Sequence, residues 1–552
     1  MANIAFYGSH NSAYVVEDKG EIVLVLEVER FLNYKNSGMA QYQCPKNSDL
    51  LFLAEYIPNY IKQKLNIDKF ENCYFMNSDV ILEDKHFLET YIKADNYYHG
   101  KHHLSHAAGC FYQSPYQEAL LFSFDGGGND GKFNVYHCLR GESPRLLETV
   151  VNPITNHPHI YYDLGFPYMV FGEYLKDIKY DPINIGNLVY PGKIMGLASY
   201  GKVVEEWLPH FIEFYKSNPD GRPLYELYDD PNLLQCDYEI KINELGEKIG
   251  ITFDRTNRIE GEIGYNIATT SQRAFEECFL EVAKPYFEQY PDLPVCIAGG
   301  CGLNILLNTK LVKEFGREVF VGPNPNDCGI ALGLMLNELK PEKPFDATYS
   351  GIELLDLGAL SHYIHDSNFQ FVSSFLETEK LAQDLLDGKI VGVARGKAEH
   401  GARALGNRSI LCNPSIPDMK DTLNEKVKHR EWYRPFAPVV RLEDVSKYFE
   451  WEGESRWMSF CPKVKEEWRE KLAAITHIDG TARVQTVTRE QNEWLYDLLT
   501  EFDRINGVGV LLNTSFNVDG KPILSSIKDA FKILESTQMD GLVIENYYFK
   551  KI

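Results

Sequence analysis

Over the first thirty residues, short apolar runs alternate with polar or glycine-bearing turns: Ile4–Tyr7, a turn at Gly8–Ser12, Ala13–Val16, the turn signal Asp18-Lys19-Gly20, then Glu21–Glu27. Runs of that length between turn formers predict an opening strand meander. A second unit on the same plan comprises Glu118–Phe124, a break at Asp125-Gly126-Gly127-Gly128, and Lys132–Cys138. A further strand, Pro294–Ala298, runs into Gly299-Gly300-Cys301-Gly302 and a helical pattern from Leu303, an order that lets backbone N–H groups face a phosphate. Glycine turns after strands, on a repeated plan, predict a nucleotide-gripping α/β fold. Asn266–Tyr286 carries apolar residues at helical spacing, whereas Trp207–Gly250 reads as a polar, irregular insertion facing a substrate. Residues 337–350, NELKPEKPFDATYS, combine two prolines with mixed charge. They place a boundary near residue 345, with 346–365 as a linker and 366–552 as a second domain in which Ile390–Ala394 is strand-like.

Composition narrows the classes. A chain of 552 residues is too long for one ordinary hydrophobic core. Its formal charge of −23 disfavours generic attraction to nucleic acid or anionic lipid, while leaving room for a local basic pocket. The eleven cysteines are scattered and form no C-x-x-C pair, which argues against a disulfide framework or structural zinc. The N-terminus lacks a signal-peptide pattern, and no segment has eighteen uninterrupted apolar residues, so the expected compartment is the cytoplasm and no membrane partner is expected.

Two sets of residues carry chemistry, and a third only mimics a motif. His102 and His106 stand at i and i+4, on one face if the segment is helical, and such a pair can hold one metal ion. Histidine pairs at that spacing are common by chance, so the site requires further ligands: Asp125, at a strand end, and Asp327, in a turn before an apolar run. Two imidazoles and two carboxylates suit Fe(II), Mn(II) or Zn(II), with positions open for substrate oxygens. Gly196–Val203 superficially matches a phosphate loop, but Val203 replaces the hydroxyl that would hold magnesium. In the C-terminal part Arg395, His400, Arg403, Arg408, Lys426, Lys428, Arg430, Arg434 and Arg483 gather among glycines and prolines, with Asn513, Ser515 and Asn517 following. Against an acidic chain, that concentration predicts a pocket for a small anion.

The motifs HHLSHAAGCFY, FSFDGGG, KIMGLASYGK, CIAGGCGLN, NPNDCGIALG, HGARALGNRSIL, LNEKVKHREWYRPFAPVV and LLNTSFNVDGKPI occur in that order. In this the chain resembles, over nearly its whole length, the O-carbamoyltransferases of the nodulation protein U and tobramycin carbamoyltransferase type. The resemblance implies an α/β protein with an N-terminal domain, 1–345, of the actin, Hsp70 and sugar-kinase (ASKHA) fold. It implies a C-terminal domain similar to the YrdC threonylcarbamoyl-adenylate synthases, whose Lys-x-Arg and Ser-x-Asn signatures match Lys428-His429-Arg430 and Ser515-Phe516-Asn517.

Carried over by motif, the metal ligands are His102, His106, Asp125 and Asp327, and an adenylate lies against Gly126, Gly127, Gly299, Gly300 and Asn304. Arg403, Lys428, Arg430, Arg434, Arg483, Asn513, Ser515 and Asn517 bind carbamoyl phosphate and ATP with magnesium, Lys428 and Arg434 being catalytic. His10 is the implied residue for positioning or deprotonating the acceptor, with Lys35 near it in sequence. Cys301, Gly302 and Asn11 depart from the family's usual residues, which bears on acceptor positioning. The implied reaction forms carbamoyl-adenylate and transfers its carbamoyl group to a hydroxyl of a small molecule or of a hydroxymethylated pyrimidine, free or in viral DNA. Nucleic acid enters only as such an acceptor, and a homodimer is compatible with the resemblance. Two other readings share these features: a tRNA threonylcarbamoyl-type enzyme, and a non-catalytic ATP-binding regulator. Pyrophosphate release and its dependence on threonine separate the three.

Overall fold

The structure is a computed structural model and describes residues 2–37, 47–76, 88–150, 164–179, 188–216, 231–365 and 371–552. The fold is mixed α/β, with three sheets among the described residues. The first contains β1 (Asn3–Tyr7), β2 (Ala13–Asp18), β3 (Glu21–Glu27), β4 (Phe70–Met76) and β5 (Ala94–His99), in the order β3-β2-β1-β4-β5. The second contains β6 (Glu118–Gly128), β7 (Gly131–Leu139), β8 (Arg145–Val150), β9 (Val295–Ala298) and β10 (Val319–Phe320), in the order β8-β7-β6-β9-β10. The two share one plan. In each, the first strand is antiparallel to the second and parallel to the fourth, and the fourth is parallel to the fifth.

Helix His102–Gln113 connects the two sheets and is buried along its length except at Leu104. It crosses helix Ile330–Leu339 at glycines: a Cβ on Gly333 would stand 1.9 Å from the Ser105 carbonyl oxygen, and one on Gly109 would stand 3.3 Å from the Gly333 Cα. At Gly333 only hydrogen fits, and at Gly109 a methyl would be tight. The crossing brings Asp327, in the short 3₁₀ turn Asp327–Gly329 before that helix, toward the first turn of His102–Gln113.

The third sheet is built from β11 (Phe371–Phe375), β12 (Val391–Ala394), β13 (Arg408–Cys412), β14 (Ala437–Arg441), β15 (Gln485–Val487), β16 (Val510–Ser515), β17 (Gly541–Ile544) and β18 (Tyr547–Lys551). Its order is β11-β18-β17-β12-β13-β16-β14-β15, parallel at β12/β17 and β14/β15 and antiparallel elsewhere. Helices Thr378–Leu386 and Glu493–Asn506 cover it, burying Leu381, Leu385, Leu495, Leu498, Leu499 and Phe502 with Val391, Val393, Leu411 and Leu511.

By packing, the chain forms two compact units, Met1–Val23 with Gly38–Phe345 and Leu24–Ser37 with Asp346–Ile552. Within the second, residues 346–365, read from sequence as a linker, are tied down by backbone bonds from Gly351 to Ala398, His400 to Thr348 and Leu355 to Ser525. Residues 366–370, where the second domain was expected to begin, lie outside the described residues.

Two sequence expectations change. The break at Asp125–Gly128 is not a turn: β6 runs through it with a register shift after Phe124, and the turn falls at Asn129-Asp130. Trp207–Gly250 is not irregular, since helices Leu208–Lys216 and Pro231–Ile249 occupy most of it; 217–230 lie outside the described residues. In the first helix Phe211, Phe214 and Tyr215 are buried at i, i+3 and i+4, a helical stripe that the polar average of the stretch conceals. Among the described residues, no helix is long and apolar enough to cross a membrane.

Candidate functional site

In the first unit, the turn after β6 anchors the histidine helix. Asn129 Oδ1 accepts the His102 N–H at 3.0 Å, and the Asp130 carboxylate accepts those of His103 and Leu104 at 2.8 and 3.1 Å. These acceptors satisfy N–H groups that helix geometry leaves unpaired. The hairpin that carries Asp125 thereby sets the height and rotation of His102 and His106.

Ligand atoms of His102, His106, Asp125 and Asp327 lie within 4.8 Å of one another, all four residues being buried. His102 Nε2 is 2.8 Å from Asp125 Oδ2, 3.2 Å from His106 Nε2 and 3.9 Å from Asp327 Oδ1. His106 Nε2 is 3.2 Å from Asp125 Oδ2 and 3.4 Å from Asp327 Oδ1. Donors at about 2.1 Å from one ion are separated by about 3.0 Å along octahedral and 3.4 Å along tetrahedral edges, so these spacings fit a single divalent cation. The N₂O₂ donor set suits the same ions that its chemistry suggests from sequence.

The electrostatics agree. Burial works against the charge of both carboxylates, yet His102 and His103 hold Asp125 well below the usual range, and His10 and His102 do the same for Asp327. Burial also disfavours a charged His106, but its bonds to Asp125 and Asp327 lift it to about 9. The carboxylates therefore favour positive charge between them. His103 has another use: Nδ1 meets Ser123 Oγ at 2.8 Å and Nε2 meets the Gly131 carbonyl at 2.9 Å. A carbonyl only accepts, so Nε2 carries the proton and His103 braces the hairpin.

His10 reaches the rim of this cluster, its Nε2 standing 3.4 Å from Asp327 Oδ2 with the side chain one-third exposed. Tyr7, which sequence reasoning treated only as a strand residue, donates to the same oxygen at 2.6 Å. Burial and the Asp327 carboxylate push its phenol well above the ordinary value, so it remains a donor.

The glycines differ in what they do. Gly126 and Gly127 lie in β6, with the Gly127 N–H bonded to Asp125 Oδ1 at 2.8 Å. Gly299 has φ +83°, and a Cβ there would stand 2.3 Å from the Phe124 carbonyl oxygen; beside Gly300 it would meet only Asp125 Cβ at 3.7 Å. Gly299→Ala is therefore expected to destabilise the fold by about 2 kcal/mol or more. A lower urea midpoint checks this; an unchanged one contradicts it. Asn304 caps helix Ile305–Lys313 by accepting from the Leu307 N–H at 3.0 Å, and exchanges bonds with Gln272 at 2.9 and 3.1 Å. Its side chain holds local structure here.

The second unit holds the cations. Lys428 is buried, and its ammonium donates to the Ser515 and Asn517 carbonyls at 2.7 and 2.8 Å, as well as to Asn517 Oδ1. Ser515 Oγ in turn bonds Asn517 Oδ1 at 2.8 Å. Burial, then Arg430, Arg434 and Lys35, push Lys428 well below the ordinary lysine value. Arg430 donates to Asn424 Oδ1 at 2.7 Å and lies 4.3 Å over the Phe436 ring, while Arg434 is 3.4 Å from Glu431. Arg403 is lowered to about 10 by burial and by Arg434. Burial, Arg403 and Arg434 hold Arg483 well below the ordinary arginine value, and its Nε is buried without a partner. Among the described residues, neither Arg403 nor Arg483 has a hydrogen-bonding or carboxylate partner. Asn513 donates to the Ala404 carbonyl and to Gln485 Oε1 at 3.1 and 2.6 Å.

Lys35, the candidate that stands near His10 in sequence, groups with this second unit. After β3 the chain forms the short helix Val28–Leu32 and turns at Asn33, whose carbonyl accepts from Lys521 at 3.3 Å. Arg30, unsuspected from sequence, donates to the Glu399 and Gly401 carbonyls, holding the loop that leads to Arg403.

Residues 54–336 match the family model described as the carbamoyltransferase N-terminus, and residues 382–551 match the carbamoyltransferase C-terminus. The chain belongs to the carbamoyltransferase family. It is 31% identical to nodulation protein NolNO of Sinorhizobium fredii, over 98% of this chain and 79% of that protein. It is 36% identical to the 3'-hydroxymethylcephem-O-carbamoyltransferase of Amycolatopsis lactamdurans, over 51% of this chain and 53% of that one. Full-length HypF in its phosphate- and nucleotide-bound form is similar at a TM-score of 0.35 and 14% identity, over 61% of this chain and 55% of that chain, too distant to bear on the fold. The four clustered donors fall within the match to the carbamoyltransferase N-terminus, and the crowded arginines and Lys428 fall within the match to its C-terminus.

Proposed function

We propose that this carbamoyltransferase is an ATP-dependent O-carbamoyltransferase working in two stages. In the second unit, water cleaves carbamoyl phosphate to carbamate and phosphate; carbamate oxygen then attacks the α-phosphorus of ATP, and pyrophosphate leaves. In the first unit, an acceptor hydroxyl attacks the carbamoyl carbon of the resulting carbamoyl-adenylate, the hydroxyl proton passes to a base, and AMP leaves. The repeated sheet plan supports an ASKHA reading of the first unit, and the Lys428, Ser515 and Asn517 constellation supports a YrdC-like reading of the second.

The observation that carries the reading is the crowding of positive charge in the second unit, where Arg403, Arg434 and Arg483 repel one another and Arg403 and Arg483 lack carboxylate partners among the described residues. Preorganised cations of that kind stabilise a polyphosphate ligand and the charge that accumulates as pyrophosphate departs. Lys428 is committed to Ser515 and Asn517, so it fixes that loop and acts at a distance as a point charge, leaving Arg403 and Arg483 to present free forks. Arg434, held only loosely by Glu431, completes the group.

In the first unit His102, His106, Asp125 and Asp327 would hold iron(II), manganese or zinc, which when bound supplies Lewis acidity to a carbonyl or phosphoryl oxygen. His10, beside Asp327 and partly open to solvent, accepts the acceptor's proton while the carboxylate stabilises the imidazolium. Burial of the cluster limits water, which would otherwise consume the mixed anhydride. The acceptor is a hydroxyl-bearing small molecule or a hydroxymethylated pyrimidine. Incubation with ATP, carbamoyl phosphate and a panel of hydroxymethyl compounds, including hydroxymethylpyrimidine nucleotides and DNA, tests the reading by mass. A gain of one carbamoyl group on one acceptor class bears it out; no gain on any, with no pyrophosphate, contradicts it.

A further inference from the structure

The two oxygens of Asp327 face different groups. Oδ1 faces the imidazoles, 3.4 Å from His106 Nε2 and 3.9 Å from His102 Nε2. Oδ2 receives the Tyr7 hydroxyl at 2.6 Å, from a residue 320 positions away. Tyr7 ends β1 between two partner strands, in register with Ala13 and Met76, and its own carbonyl accepts from Ser12 Oγ at 2.6 Å. The ring is about 1% exposed and meets the edge of the His102 ring at 6.4 Å between centroids. The backbone is fixed on both sides and the ring is packed, so the phenol has one position.

We propose that Tyr7 is a positioning residue for Asp327: its hydrogen bond occupies Oδ2, selects Oδ1 as the single ligating oxygen, and thereby sets the affinity of the donor cluster for its ion. This rests on the metal reading above. A carboxylate on a surface turn rotates freely about its last bond, and a ligand that must be ordered on binding loses affinity. A neutral donor on the far oxygen orders it in advance without cancelling its charge. Removing such a supporting bond typically weakens metal binding 10- to 100-fold. Tyr7 reaches Oδ2 more closely than His10 does, so the bond also keeps His10 available for an acceptor hydroxyl.

The test is equilibrium dialysis of the full chain, with Mn(II) and Zn(II) in separate arms, for wild type, Tyr7→Phe, Asp327→Asn and the double variant. Visible spectra of the Co(II)-loaded proteins report geometry, and thermal unfolding of metal-free samples reports folding. Expected are one ion per wild-type chain, 10- to 100-fold weaker binding by Tyr7→Phe with an altered Co(II) spectrum, and no further effect of Tyr7→Phe in the Asp327→Asn background. A Tyr7→Phe protein that binds within threefold of wild type overturns the inference and leaves the metal reading standing. Wild type that binds no ion overturns both. If Tyr7→Phe loses affinity equally with and without the Asp327 carboxylate, its role is general packing and the inference fails.

Discussion

Arg483→Met is expected to lower pyrophosphate release from ATP and carbamoyl phosphate about 10²- to 10³-fold, while the thermal midpoint stays level or rises. The rate effect follows from removing one preorganised charge-stabilising donor, worth about 3–4 kcal/mol in the transition state. The stability effect has the opposite sign because Arg483 repels Arg403 and Arg434 and buries an unpaired Nε, so a methionine of similar length relieves the unliganded fold. Pyrophosphate assays and thermal unfolding read the two effects independently. A lower midpoint with unchanged turnover would make Arg483 a structural cation and remove the main support for an anion site. Lys428→Met contrasts with it: the carbonyls of Ser515 and Asn517 lose their donor, so stability and rate fall together.

The second large effect separates the stages. His106→Ala, or prior treatment of the protein with a chelator, is expected to abolish carbamoylation of the acceptor by at least about 10³-fold while pyrophosphate release continues. His106 lies between both carboxylates, so its loss removes one donor and leaves Asp125 and Asp327 3.2 and 3.4 Å from an empty corner. Carbamoyl-adenylate then decays by hydrolysis, and AMP accumulates without carbamoylated product. Product analysis in parallel with the pyrophosphate assay checks this. Equal loss of both activities would tie the donor cluster to activation and contradict a division between the units.

Local pattern made much of the architecture legible. The strands around Ile4–Tyr7, Glu118–Phe124 and Pro294–Ala298 were visible because apolar runs meet turn formers, and the i, i+4 histidines because helix periodicity puts them on one face. The glycine run after Asp125 misled because glycine marks both turns and close packing; here Gly128 lies against His102, where a Cβ would come within 2.3 Å of its side chain. Tyr7 carried no signal, since an aromatic residue ending a buried strand is ordinary, and its partner is set by topology. Arg30 carried no signal either, and nothing in the sequence around Lys35 reports that Leu24–Ser37 groups with the second unit. The arginine excess was legible as composition against an acidic background, but which members lack partners required coordinates.

In the proposed reaction, activation precedes transfer and is separable from it. This is tested most directly by supplying the intact protein with ATP and isotopically labelled carbamoyl phosphate, without any acceptor, and following pyrophosphate and the label by rapid quench. Expected is pyrophosphate release that requires carbamoyl phosphate, with label appearing on an adenylate before it is lost to hydrolysis. Label passing to an added alcohol with no pyrophosphate formed, or no consumption of ATP at all, would contradict it.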